Sequence, residues 1–137
     1  MHLGMKLSNE VLYALGAMLR LAKLAKREPV PASRLANDGQ ISQPFLQQIL
    51  RTLQTHGLLH STRGVKGGYT LARPADQISL LEVIEAIEGP YNLRLDGCDG
   101  LTKDSQRKLH DALGHVTQTA RRELESIKLS QLQNRVG

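Results

Sequence analysis

Apolar positions along the chain recur every three or four residues, the spacing of one helix face, except in one short stretch where they alternate. The first run holds Val11, Leu12, Leu15, Met18, Leu19, Ala22 and Ala25, with Ser8 placed to cap it. It predicts a helix from Ser8 to about Lys26, closed by Pro29 and Pro31. A short helix is expected around Arg34 to Asn37, followed by an Asp38-Gly39 turn signal. The next helix starts at Ser42, a good N-cap, and Pro44 fits its first turn, where a missing N–H costs no bond. Phe45, Leu46, Ile49, Leu50 and Leu53 are its expected buried stripe. Gln47, Gln48, Arg51, Gln54 and Thr55 lie largely outside that stripe, and Gly57 stops the helix.

The pattern then changes. In Ser61 to Pro74, Gly64, Gly67 and Gly68 permit a tight turn and Arg63 and Lys66 charge it. Tyr69, Leu71 and Ala72 resume an alternating, strand-like order that Arg73-Pro74 ends. A helix, a glycine turn, a capped second helix and a basic glycine-tipped hairpin make a helix-turn-helix with a wing.

A further helix is expected from Ile78 to Ile87, with Leu80, Leu81, Ile84 and Ile87 on one face, broken by Glu88-Gly89-Pro90. Residues 89–105 read as an irregular loop. The last helix, from about Asp104 to Ile127, carries a seam of Leu109, Leu113, Val116, Ala120, Leu124 and Ile127, in steps of 4, 3, 4, 4 and 3. Arg107, Lys108, Arg121, Arg122, Glu123 and Glu125 lie mostly off the seam. One seam on a terminal helix fits a two-fold dimer. The expected fold is mainly α: a winged helix-turn-helix with a small β-hairpin wing and a long C-terminal dimerisation helix. Its parts are a nucleic-acid-binding unit over 1–88, a loop over 89–105, and the dimerisation helix and tail over 106–137.

Composition sharpens this. Aromatic residues are 3% of 137 and Trp is absent, so the core must be built from Leu, Ile, Val and Ala. A chain so poor in large side chains calls for a partner subunit. The net charge of +5 is uneven. Residues 1–75 hold ten Lys/Arg against Glu10, Glu28 and Asp38, a balance of +7, whereas residues 76–137 hold eight against ten acids, a balance of −2. The front half is the candidate polyanion-binding unit. Cys98 is the single cysteine, which excludes an intrachain disulfide and gives secretion no support. The first residues do not form a signal peptide, and Arg20 and Lys23 interrupt the apolar run of the first helix, so it is too charged to span a membrane. A cytoplasmic protein is expected.

The chemistry points to double-stranded DNA. The helix starting near Gln43 would enter the major groove by its N-terminal end. Gln47 and Gln48 each offer a donor and an acceptor, the pattern that reads adenine, and Arg51 reaches guanine or a phosphate. Ser42 and the first-turn amides suit a phosphate. Arg63 suits the minor groove and Lys66 a phosphate. No Ser-His-Asp order, catalytic carboxylate pair or phosphate-binding loop is visible, so no enzyme is expected. Gly64-Val-Lys-Gly-Gly68 leads into a strand, not a helix.

Tyr13-Ala-Leu15, Ile41-Ser42, Phe45-Leu46-Gln47-Gln48, Gly57-Leu58-Leu59, Arg63-Gly64 and Gly67-Gly68-Tyr69-Thr70-Leu71 together resemble the Rrf2-type, IscR/NsrR/CymR-like bacterial winged-helix regulators. Glu82-Val83-Ile84, Ala86 to Gly89 and Leu129-Ser130-Gln131-Leu132 extend the resemblance over nearly the whole chain. It implies a DNA-binding transcription regulator, in which Ser42, Pro44, Gln47, Gln48, Arg63 and Gly64 contact operator DNA. Several members carry a glutamate where Gln47 stands, so operator preference differs with that residue. The expected role is a homodimeric repressor on a palindromic operator.

Cluster-binding members of that family place three cysteines in the loop before the dimer helix, where this chain has Cys98 alone among Asp96, Asp99, Asp104, His110 and His115. No iron–sulfur cluster and no metal site are therefore expected. Cys98 stays a candidate sensor thiol or metal ligand, and its acidic neighbours oppose thiolate formation. A protein-interaction module on the same scaffold is the alternative to a DNA reader. The effector, a small molecule or a protein, is not legible.

Overall fold

The computed structural model describes residues 7–24, 28–93 and 100–133. The elements are α1 (Asn9–Lys23), α2 (Ala32–Gly39), α3 (Gln43–Thr55), β1 (Leu59–Thr62), β2 (Gly68–Leu71), a 3₁₀ turn (Ala75–Gln77), α4 (Leu80–Glu88), α5 (Lys103–Ser126) and α6 (Leu129–Leu132). The expected fold class is the observed one: a helical body, one two-stranded antiparallel hairpin and a long C-terminal helix.

Helices α1, α3, α4 and α5 start where a side chain satisfies an orphan amide, whereas α2 opens on Pro31 without one. Ser8 Oγ accepts from the Val11 N–H at 3.2 Å, and Ser42 Oγ from Phe45 at 3.3 Å. Ser79 Oγ accepts from Glu82, whose carboxylate accepts in return from the Ser79 N–H, both at 3.1 Å. Helix α1 is shorter than the periodicity suggests. Leu24 turns extended after its N–H bonds the Leu21 carbonyl, so the helix ends at Lys23; Ala25 and Lys26 lie outside the described residues. Helix α2 is longer than expected. Asp38 and Gly39 complete it, and the turn falls on Gln40, whose left-handed backbone (φ 54°) lets the Ile41 N–H reach the Ala36 carbonyl at 3.0 Å.

The core lies where α1, α3 and α4 meet. Val11, Ala14, Met18, Leu46, Leu50, Leu53, Ile78 and Val83 are closed to solvent there. Phe45 departs from the stripe assigned to it. It stands one residue before Leu46, about 100° round the helix, stays 36% exposed, and meets Tyr13 edge-on with ring centroids 5.7 Å apart. Leu12 likewise faces outward.

The hairpin pairs Leu59 with Leu71 and Thr62 with Gly68. A single residue of the α1–α2 connection, Val30, adds to it, exchanging both backbone hydrogen bonds with Tyr69 at 3.0 and 2.9 Å. At the far end Ile127 leaves α5 with extended backbone, and its carbonyl accepts from Leu80 at 2.8 Å. Leu129 then inserts into the core beside Ile78, fully buried. The expected seam therefore loses its last helical position. No described helix is long and apolar enough to cross a membrane.

Candidate nucleic-acid interface

Helix α3 buries Leu46, Ile49, Leu50 and Leu53 and leaves Ser42, Gln43, Pro44, Gln48 and Arg51 exposed. These are the residues that the sequence assigns to a groove. Gln47 behaves differently. It is half-buried, and its Nε2 donates to the Tyr69 hydroxyl at 2.6 Å. Two turns on, Gln54 Nε2 donates to Ser61 Oγ at 2.9 Å. These two bonds fasten α3 to both strands of the hairpin.

The wing tip runs from Arg63 to Gly67. The Gly67 N–H closes it onto the Gly64 carbonyl at 3.0 Å, and Gly64 has φ +108°, which side-chain-bearing residues rarely adopt. A Cβ on Gly67 would stand 2.1 Å from the Thr62 carbonyl oxygen. The tip presents Arg63, Val65 and Lys66 to solvent. Among the described residues no carboxylate pairs with Arg51, Arg63 or Lys66. The sequence gives the reason: no Asp or Glu occurs between Asp38 and Asp76. That acid-free span was a readable signal. The bonds from α3 to Tyr69 and Ser61 were not, because they join residues whose pairing depends on the hairpin register.

Behind the wing, Arg73 ties the end of β2 to α4. It forms an ion pair with Glu82 and donates to the Gln77 carbonyl at 2.9 Å. Burial pushes the Glu82 carboxyl up, but Arg73 and the Ser79 N–H outweigh it and hold the group below the usual carboxylate range.

Helix α5 touches its own body along one narrow face. Thr117 is its buried residue, and Arg121, which lies off the seam, pairs with Glu85 of α4. The seam lies a quarter turn or so away, with Leu109 and Val116 exposed and Leu113, Ala120, Leu124 and Ile127 half-buried. Cys98, Asp96 and Asp99 lie outside the described residues. Asp104, His110 and His115 are exposed, and among the described residues no three His, Cys, Asp or Glu side chains gather in a metal-holding group.

A helix-turn-helix with an exposed second helix, flanked by an acid-free basic hairpin, is the architecture of a winged-helix transcription regulator. Comparison with known proteins narrows this. The model of the Rrf2 family, described as an iron-dependent transcriptional regulator, matches residues 7–135, and the chain belongs to that family. The HTH-type transcriptional regulator IscR of Xenorhabdus nematophila is 32% identical over 125 residues, covering 82% of this chain and 76% of its own length. IscR of Cereibacter sphaeroides is 40% identical over 90 residues, covering 64% of this chain. The chain spans 58% of that relative's length and 53% of a Mycobacterium tuberculosis relative's. Among solved structures, CymR, the global cysteine regulator of B. subtilis, superposes with a TM-score of 0.74 at 26% identity, covering 93% of this chain and 95% of that one. T. potens IscR does so at 0.67 and 31%, covering 94% and 86%. These relatives are similar to the chain in fold, and those named above are regulators rather than enzymes.

Proposed function

We propose that the protein is a homodimeric, sequence-specific DNA-binding regulator that represses transcription from a palindromic operator. One observation carries the reading: an exposed polar helix face and a cationic, carboxylate-free wing are fastened into one unit by the Gln47–Tyr69 and Gln54–Ser61 hydrogen bonds. In this reading the N-terminal end of α3 enters the major groove. Ser42 and the first-turn amides meet a phosphate, Gln43 and Pro44 contact the DNA beside them, Gln47 and Gln48 read bases, and Arg51 takes guanine or phosphate. Arg63, beside Gly64, enters the minor groove, while Lys66 grips phosphate and adds affinity without sequence information. Leu109, Leu113, Val116, Ala120 and Leu124 pair α5 with a second copy, which supplies the other half-site.

The donor set does not fit the iron of the family description if that iron is a thiolate-held cluster. Such clusters take several cysteines, and the sequence has Cys98 alone. The repressor is accordingly proposed to act without a cluster, in the cytoplasm.

The test is selection of bound sequences from a random duplex pool, followed by footprinting of Arg63→Glu/Lys66→Glu. Wild type should enrich an inverted repeat, with affinity falling steeply as salt rises. The double variant should lose protection while keeping its melting temperature. Retained protection of the same footprint by that variant overturns the wing assignment. Equal binding of the repeat and random duplex overturns the reading as a whole.

A further inference from the structure

Gln47 stands one turn beyond Gln43, half-buried at the edge of the exposed face of α3, where a glutamine without a partner would sample several rotamers. Here its carboxamide is held. Nε2 donates to the Tyr69 hydroxyl at 2.6 Å, and the contact is partly shielded from solvent.

Tyr69 is itself a fixed point. Its backbone exchanges two hydrogen bonds with Val30 and pairs with Ser61 across the hairpin, and only 7% of the residue is exposed. Gly68 makes this placement possible. Its φ is +151°, and a Cβ there would stand 2.3 Å from the Val30 carbonyl. The base of the wing thus fixes where the phenolic oxygen sits, and that oxygen fixes the amide on the recognition helix.

We infer that Tyr69 is a positioning residue for sequence reading, whose hydroxyl orients the Gln47 carboxamide so that its remaining N–H and its carbonyl oxygen face one base edge. A carboxamide has two N–H donors and one acceptor oxygen. With one N–H spent on Tyr69, one donor and one acceptor remain, the pair that matches N7 and the N6 amino group of adenine. Orientation is settled on folding, so binding does not bear that entropy again. The effect falls on base preference rather than on affinity for duplex in general, because Tyr69 carries no charge and is buried. The inference rests on the DNA-reading function proposed above.

The experiment uses the full chain and Tyr69→Phe, which keeps the buried ring and removes the oxygen. In the free protein, nitrogen-15 relaxation of the Gln47 side-chain amide should show a rigid group in wild type and a mobile one in the variant. Equal mobility in both overturns the inference without reference to DNA. Next, both proteins select from the random duplex pool. Tyr69→Phe should lose preference at one base pair in each half-site, on the order of tenfold, while its affinity for random duplex and its salt dependence stay at wild-type values. An unchanged preference, or a uniform loss at all positions, overturns the inference. A double-mutant cycle separates positioning from general structure: once Gln47→Ala is present, Tyr69→Phe should have no further effect on preference. Full additivity counts against it. A rigid amide in a wild-type protein that selects no sequence would mean that the DNA-reading function itself had failed, and the base-reading role with it.

Discussion

The Glu85 carboxylate is shared between the Arg121 guanidinium and the Tyr91 backbone N–H, which lies 2.8 Å away. Arg121 also donates to the Tyr91 carbonyl at 3.3 Å. One turn earlier on α5, Thr117 Oγ1 accepts from the Leu93 N–H at 3.1 Å. The chain leaving α4 is therefore stitched to α5 through Tyr91 and Leu93. Burial pushes the Glu85 carboxyl up, but Arg121 and the Tyr91 N–H overcome this and hold it below its ordinary value of 4.5.

This gives the acid response of the fold a sign. Glu82 and Glu85 both have lowered values in the folded state. Their contribution is complete above the ordinary value of 4.5 and is lost as pH falls through the lower folded values. Wild-type urea midpoints should hold from neutral pH down to that region and then drop. Glu82→Gln/Glu85→Gln should start lower at neutral pH and show a shallower acid loss. Parallel curves for the two proteins would mean that neither pair contributes.

Gly68 is the residue on which the wing depends for its place beside Val30. An alanine there would force its Cβ into backbone, where no side chain can yield, and would occupy a φ that favours glycine. Gly68→Ala should cost about 3 kcal/mol and loosen the Val30–Tyr69 pairing, seen as faster amide hydrogen exchange at both residues. Wild-type exchange in a variant of wild-type stability would show that the strand and Val30 can separate freely.

What the sequence discloses here is local order. Ser42, Pro44 and Gly57 mark both ends of α3, and three glycines mark the wing tip, because each acts within a few residues of itself. Contacts that depend on register were hidden. The pairing of Gln47 with Tyr69 and that of Glu85 with Arg121 span 22 and 36 residues, and nothing in the apolar pattern selects them. Phe45 was placed in the buried stripe because periodicity counts apolar residues alike, whereas a neighbouring Tyr13 gives it a half-exposed seat. Leu129 read as tail because it follows the long helix, and only the return of the chain at Ile127 brings it to the core.

Helix α5 leaves Val116 49% exposed and Leu109 36% exposed, on a helix whose own body buries only Thr117. If those residues meet a second copy, a charge on the seam breaks the dimer. Leu113→Glu/Val116→Glu should sediment as a single 15.1 kDa chain, with wild type at twice that mass, and should bind operator DNA far more weakly because one half-site is lost. The helical circular dichroism should change little. A variant that still sediments as a dimer would place the partner surface elsewhere.

The last prediction concerns the return of the chain after α5. Leu129 has no solvent exposure, and its N–H donates to the Ile78 carbonyl at 2.9 Å, beside the Leu80-to-Ile127 bond at 2.8 Å. Three residues on, Leu132 is 40% exposed. The two leucines share a short helix and a chemical type but differ in burial, so they form a matched pair. Leu129→Ala removes buried methyl groups and leaves a cavity, and should cost about 3 kcal/mol. Leu132→Ala should stay within about 0.5 kcal/mol of wild type. Chemical denaturation of the two variants decides the matter. Equal losses would mean that the segment does not dock in solution. A large loss confined to Leu129 would make the C-terminal return a structural part of the winged-helix body, anchoring the chain after α5 as Thr117 and Arg121 anchor the helix itself.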